Sequence, residues 1–278
     1  MTTRRALAIT TCAALLGVIL SAGCSPSYRR DQLVESITSI CAEDYQFQVQ
    51  IKQVGGTLAI YLHKEGILKQ DGAQVTLAPD ANRIVGQLLE AVHRVILSSD
   101  ADTKFYVALF SDPKVPGIYL TLVRYLDDVR RVNASIIPPT EFFSRTVLDL
   151  KNVGITNFTL DQLVLSDITL EQFLSWQLAK RIQAKLNEAL QQDHLPAEVG
   201  PCLGEFKNGE FAFVVNVTPK GDNASTETVV QKVFAASASV IAQVLSGYQF
   251  DQYQAVRLIN PPTGRTLLLP KTRLELFR

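Results

Sequence analysis

Seven side chains in this 278-residue chain are of types that could support thiol or imidazole chemistry: Cys12, Cys24, Cys41, Cys202, His63, His93 and His194. A cysteine can be acylated, bridged, ligated to a metal or used as a nucleophile, and a histidine can bind metal or move protons near neutral pH. The three histidines lie far apart, and no His-x-His, His-Glu-x-x-His or Cys-x-x-Cys spacing occurs, so no metal site is expected. There is no Gly-x-Ser-x-Gly elbow, and no Ser-x-x-Lys with the downstream motifs of serine acyl transfer. Gly55-Gly56 reads as a hairpin turn, since no lysine and helix follow in the order a phosphate loop needs. Asp127-Asp128 are adjacent acids, which point apart on a helix or a strand, and are expected to form a solvated cap. No catalytic residue can be named, so the chain is expected not to be an enzyme and to need no cofactor.

One thiol stands in an informative context. Arg4 and Arg5 precede an apolar, small-residue run from Ala6 to Leu20, and Leu20-Ser21-Ala22-Gly23 leads directly into Cys24. A charged start, an apolar core and a small-residue cleavage zone make a secretory signal peptide. The run of about fifteen residues is shorter than the roughly twenty a membrane span needs. The stretch resembles a bacterial lipoprotein signal, although that family prefers Leu three positions before the cysteine, where this chain has Ser21 and carries Leu20 one position further out. The alternative is an ordinary secretory signal cut near Ala22 or Gly23.

The resemblance implies that residues 1–23 are removed, that Cys24 is acylated (diacylglycerol plus an amide-linked chain such as palmitate), and that the folded region sits at a membrane without a transmembrane helix. Stable anchoring needs two or more chains, which this modification supplies. Ser25 stands where inner-membrane retention usually reads an Asp, so the likeness points to the outer membrane, facing the periplasm. Residues 24–30 form a tether, short at ~3.3–3.6 Å per extended residue. Beyond the signal, the mature region resembles bacterial lipoproteins in general, a likeness that carries no activity.

Removing the signal takes away Arg4 and Arg5 and no acid, leaving a net charge of −2. No concentrated basic face argues for nucleic acid. Cys41 and Cys202 remain in the mature chain. An oxidising envelope permits a disulfide between them, and two separate buried thiols are the alternative, since Cys41 lies on the apolar stripe Leu33, Val34, Ile37, Ile40. Outside the signal, no apolar run reads as long enough to span a membrane.

The elements repeat weakly at a spacing of about 149 residues. A helix after Asp80, the expected N-cap, places Ile84, Val85, Leu88, Leu89, Val92, Val95 and Ile96 on one wide face. Its counterpart carries Val233, Phe234, Ala238, Ile241, Val244 and Leu245. Phe105 to Phe110, apolar on both faces, aligns with Val256 to Leu258, and Pro113 with Pro262. Upstream, hairpins at Gly55-Gly56 and Asn208-Gly209 each follow a helix, the second opening with Thr169 and Gln172 at capping-box spacing. The expected fold is α+β: two pseudo-repeated lobes at 31–133 and 169–278, each helix, hairpin, helix, strand, strand, with an antiparallel sheet and helices on one face. Residues 134–168 are a linker expected to pack rather than float. Trp176 stands off the main stripe of its helix, where it would dock a partner or cover the other lobe.

These features point to a lipid-anchored envelope protein acting as a binding or scaffold module for an envelope protein or a cell-wall component. A periplasmic lipoprotein binding a small molecule or a lipid between helix layer and sheet is the alternative. A large apolar cavity would discriminate the two.

Overall fold

The computed structural model describes residues 27–152, 154, 160, 165–220 and 223–277. The expected signal segment 1–23 and Cys24 lie outside these residues, as does most of 157–165. Of the expected tether, residues 27–30 are described, and they are held to the fold. Tyr28 N donates to Ser98 O at 3.2 Å and Arg30 N to Asp100 Oδ1 at 2.6 Å.

The chain runs α1 (Leu33–Tyr45), β1 (Val49–Val54), β2 (Thr57–His63), β3 (Leu68–Asp71), β4 (Gln74–Leu77), α2 (Ala81–Ile96), β5 (Phe105–Asp112), β6 (Val115–Tyr125), α3 (Leu126–Asn133), α4 (Pro139–Arg145) and β7 (Val147–Asn152). It continues with α5 (Leu170–Gln192), β8 (Ala197–Lys207), β9 (Glu210–Pro219), α6 (Asn223–Gly247), β10 (Ala255–Asn260), β11 (Arg265–Pro270) and α7 (Lys271–Leu274). The fold is mixed α and β, with sheets ordered β1-β2-β5-β6-β7 and β11-β10-β9-β8, and a separate β3-β4 hairpin.

The sheets are not purely antiparallel, which corrects the expectation. β2 pairs with β5 in parallel, and β9 with β10 in parallel. In each case a helix intervenes, and a strand that returns after a helical crossover enters in the same direction as the strand it left. The hairpins sit where the turn residues place them. Gly55 has φ +57°, and Asn208-Gly209 have φ +52° and +78°, the left-handed pair of a two-residue turn.

Helices on one face of each sheet is also too simple. α1 and α2 cover one face of the first sheet through Leu33, Ile37, Leu88 and Val92, against Leu58, Ile60, Tyr106 and Phe110. The other face, with Ala59, Tyr61, Phe105, Val107 and Leu109, is buried under Leu160, Ile168 and Phe173. β2 and β5 are apolar on both sides, so both sides require cover. Asp167 pins this cover: its Oδ1 accepts from Gly56 N and Thr57 Oγ1, each at 3.0 Å, and Ile168 N donates to Thr57 Oγ1 at 2.8 Å. Segment 134–168 supplies α4 and the edge strand β7 of the first sheet.

α5 begins with the capping box at Thr169 and Gln172. It then packs Leu174, Leu178, Ile182 and Leu186 with α6 onto Phe211, Phe213, Val215 and Leu258 of the second sheet. Asp80 occupies the N-cap of α2, but its side chain makes no capping hydrogen bond. The carboxylate lies 3.8 Å from Arg83 instead. By length and composition, Thr226–Gly247 could cross a membrane, contrary to the expectation, yet half of it is buried in the second core.

Candidate functional site

Four elements enclose a groove on the helix-covered side of the first sheet. α2 presents Val85, Leu89, His93 and Leu97, each four residues from the last and so stacked along one line. β6 provides a floor of alternate residues, Leu120, Leu122 and Arg124, with Leu148 paired across to Leu122 on β7. α4 closes the far wall with Phe142, Phe143 and Thr146 following it. The groove lies where the cover that α1 and α2 give the first sheet meets the short α4 beside β6 and β7. Its volume is about 1070 Å³. Leu77, Phe143 and Leu148, all exposed large apolar residues, line it.

A polar chain lies at the end of the floor. Arg124 Nε donates to Thr146 Oγ1 at 3.0 Å and Nη1 donates to the Tyr106 hydroxyl at 3.2 Å. Its guanidinium lies 4.5 Å over the Phe142 ring. The Tyr106 oxygen is 2.7 Å from His93 Nε2. Tyr106 accepts from Arg124 and shares a second hydrogen bond with His93, so its hydroxyl links the cation to the imidazole. Burial and then the Arg124 charge push the His93 imidazole down to about 4, and burial pushes the Tyr106 phenol up to about 12. At neutral pH the cluster therefore carries one charge, the Arg124 cation. It offers no activated nucleophile, but it can hold an anion.

His93 makes a pH prediction. The unfolded chain takes up the His93 proton below about 6.5 and the folded chain only below about 4. Stability is complete above about pH 6.5 and falls as pH drops towards 4, by of order 2 kcal/mol. His93→Gln keeps an acceptor for Tyr106 and is expected to flatten this acid limb. Urea midpoints at about pH 7, 5.5 and 4.5 check it, and an unchanged slope would remove His93 as its source.

The other histidines do not join this cluster. His63 Nδ1 lies 2.7 Å from Ser111 Oγ, which also lies 2.7 Å from the Tyr61 hydroxyl. Ser111 is buried, and no carboxylate orients the far side of the ring among the described residues. His194 follows the end of α5 at φ +51°. Among the described residues no group of His, Cys, Asp and Glu could hold a metal ion.

Cys41 and Cys202 are free thiols, not a disulfide. Cys41 is in the core under the first sheet and Cys202 in the core of the second, so no bridge can form without merging two packed layers. Burial pushes both thiols up to about 11, which leaves them unreactive near neutral pH. Asp127 pairs with Arg131 at 2.9 Å, as a helix-start acid should. Asp128 corrects the expectation of a solvated cap: it is buried at the junction of the two halves, 2.8 Å from Arg145 Nη1 and 2.5 Å from the Tyr248 hydroxyl. Trp176 is 38 % exposed.

Arg124, Tyr106, Phe142 and Phe143 were not singled out from sequence. A signal for Arg124 was there: it continues the line of Leu120 and Leu122 on an alternating strand, a charge on an apolar face. Compared with known proteins, the chain matches no protein-family model and no curated protein.

Proposed function

We propose that the chain is a non-enzymatic lipoprotein of the cell envelope, lipid-anchored through Cys24, whose folded region binds a small amphiphilic ligand between α2 and α4. The observation that carries this reading is the groove: about 1070 Å³, walled by Val85, Leu89, Leu97, Leu120, Leu122 and Phe142, with one polar cluster. That combination is the usual make-up of a small-molecule site, and it favours ligand capture over a purely scaffolding role. The anchor and its placement at the outer membrane rest on the Leu20–Cys24 motif. Tyr28 is hydrogen-bonded at Ser98, which lines one end of the groove. Four residues from Cys24 to Tyr28 span at most ~14 Å, so an anchored protein would hold this end of the groove close to the lipid surface.

The shared strand order β1-β2-β5-β6 and β8-β9-β10-β11, with a parallel pair at the same place in each, supports descent of the two lobes from one duplicated unit. The duplicated sheet also supports a second reading. On the outer face of the second sheet Leu203 is 63 % exposed and Leu268 45 %, an apolar surface suited to docking an envelope protein.

Gly86 gives a clean test. It lines the groove, and a β-carbon added there meets nothing within 4 Å. Gly86→Phe should place a ring in the groove, and replacing a helical glycine should leave α2 at least as stable. We expect Nile red, a neutral apolar dye, to brighten on binding the parent protein and to bind at least tenfold more weakly to Gly86→Phe. Equal binding by the two proteins would sink the groove reading. Palmitate labelling lost in Cys24→Ala would support the anchor, and labelling that persists would reject Cys24 as its site.

A further inference from the structure

We propose that the ligand of this groove is a single-chain amphiphile with a carboxylate head, a free fatty acid, whose carboxylate pairs with the guanidinium of Arg124. The proposal rests on the groove being a ligand site and names the chemistry of its occupant.

The argument starts from charges taken out of water. Among the described residues the buried charged side chains are Asp112, Arg124, Asp128 and Arg145. Three of them are compensated within the protein. Asp112 Oδ2 accepts from the backbone N–H groups of Gly66, Ile67 and Leu68 at 2.8–3.1 Å. Asp128 and Arg145 pair with each other, and Arg145 also pairs with Glu141 at 2.9 Å. Arg124 is the exception. It is 7 % exposed, its partners are a threonine hydroxyl, a tyrosine hydroxyl and an aromatic face, and no Asp or Glu among the described residues reaches it within ion-pair distance. A buried cation without a counter-ion is costly, and proteins ordinarily avoid it.

The free part of Arg124 has the right shape. Nε is engaged by Thr146, and Nη1 gives one of its two protons to Tyr106. Nη2 and the second Nη1 proton have no partner among the described residues, N–H groups of the kind that bind a carboxylate. Phe142 and Tyr106 hold the plane, so little side-chain freedom is lost when the anion arrives. Tyr106 is itself held by its 2.7 Å hydrogen bond to His93.

The rest of the groove suits an acyl tail rather than a compact anion. From Arg124 the floor continues through Leu122 and Leu120, and the α2 wall from His93 back to Val85 extends about 12 Å at 1.5 Å per residue. The rim charges have neighbours of their own: Arg94 pairs with Asp44 at 3.1 Å, and Glu90 lies beside Tyr45. One cation at the end of an apolar trough matches one carboxylate at the end of a chain.

The test compares heads on a common tail. The mature chain carrying Cys24→Ser holds every described residue and can be purified without detergent. Displacement of Nile red by dodecanoate, dodecanol and dodecyl phosphate is then measured near neutral pH. We expect dodecanoate to bind at least tenfold more tightly than dodecanol, and Arg124→Gln to abolish that preference of acid over alcohol. Equal binding of acid and alcohol by the parent protein overturns the carboxylate proposal and leaves the groove reading standing. Preference for dodecyl phosphate over dodecanoate also overturns it, in favour of a phosphate head. Failure of all three to displace the dye, or of the dye to bind, defeats the groove reading itself. Should Arg124→Gln not fold, the comparison of heads on the parent protein decides the matter alone.

Discussion

Replacing Arg145 with methionine is expected to cost the fold about 3–5 kcal/mol, the usual penalty for stranding one partner of a buried ion pair. Arg145 is the centre of the junction between the halves. Nη1 donates to Asp128 Oδ1 at 2.8 Å and Nε to Glu141 Oε1 at 2.9 Å, and the guanidinium lies 4.5 Å over the Tyr248 ring. Its carbonyl accepts from Gln177 Nε2 at 2.7 Å, which also donates to the Tyr248 hydroxyl at 2.9 Å. Without the cation, Asp128 keeps only the Tyr248 hydroxyl, in a site that already pushes its carboxyl upward through burial. The penalty is for the stranded acid rather than for a strong bond lost, so the second substitution should restore stability. Arg145→Met with Asp128→Leu is expected to recover at least half of the loss. Urea unfolding of the parent, both single variants and the double variant checks this. Additive losses in the double variant would show that the pair is not coupled.

Phe173→Ala carries a comparable expected loss, about 3–5 kcal/mol, for a different reason. Phe173 is fully buried in the first turn or so of α5, yet its ring packs on the first sheet, 5.5 Å from Phe105 and 6.3 Å from Tyr125. The next residue, Leu174, belongs to the core of the second sheet. One helix thus contributes adjacent side chains to two cores. Emptying the Phe173 site leaves a cavity and also removes the tie that makes the halves unfold together. Calorimetry of the variant should show a broadened or split transition, whereas a Leu178→Ala variant, cut within one core, should lower a single transition. A single sharp transition in Phe173→Ala would mean that other contacts couple the halves.

What could be read from sequence was what neighbouring residues decide among themselves. The hairpin at Asn208-Gly209 follows from backbone that tolerates positive φ, and the start of α5 from a reciprocal Thr169–Gln172 cap. Phe105 to Phe110 shows no polar alternation, and that is the mark of the doubly covered strand it forms. Residue spacing does not encode which distant groups meet. The parallel β2–β5 and β9–β10 pairs depend on where a helix returns the chain. Asp128 looked like a helix-start acid and is one, but Arg145 and Tyr248 arrive from later segments and enclose it. The groove is a further case of the same kind. Val85, Leu120 and Phe142 each look like ordinary core residues, and only their placement on three separate elements around an unfilled space makes them a groove.

The cover over the first sheet has a consequence for the order in which the chain acquires structure. Synthesis delivers β1 through β7 before Ile168 and Phe173, so the face bearing Tyr61, Val107 and Leu109 is complete as a surface before its lid exists. During that interval an emerging chain presents two adjoining fully apolar strands to whatever is nearby. Closure comes in one short stretch, when Asp167 reaches the Gly55-Gly56 turn and Phe173 follows on the first turn of α5. The helix that opens the second half thus also covers the exposed face of the first, so one segment completes both layers.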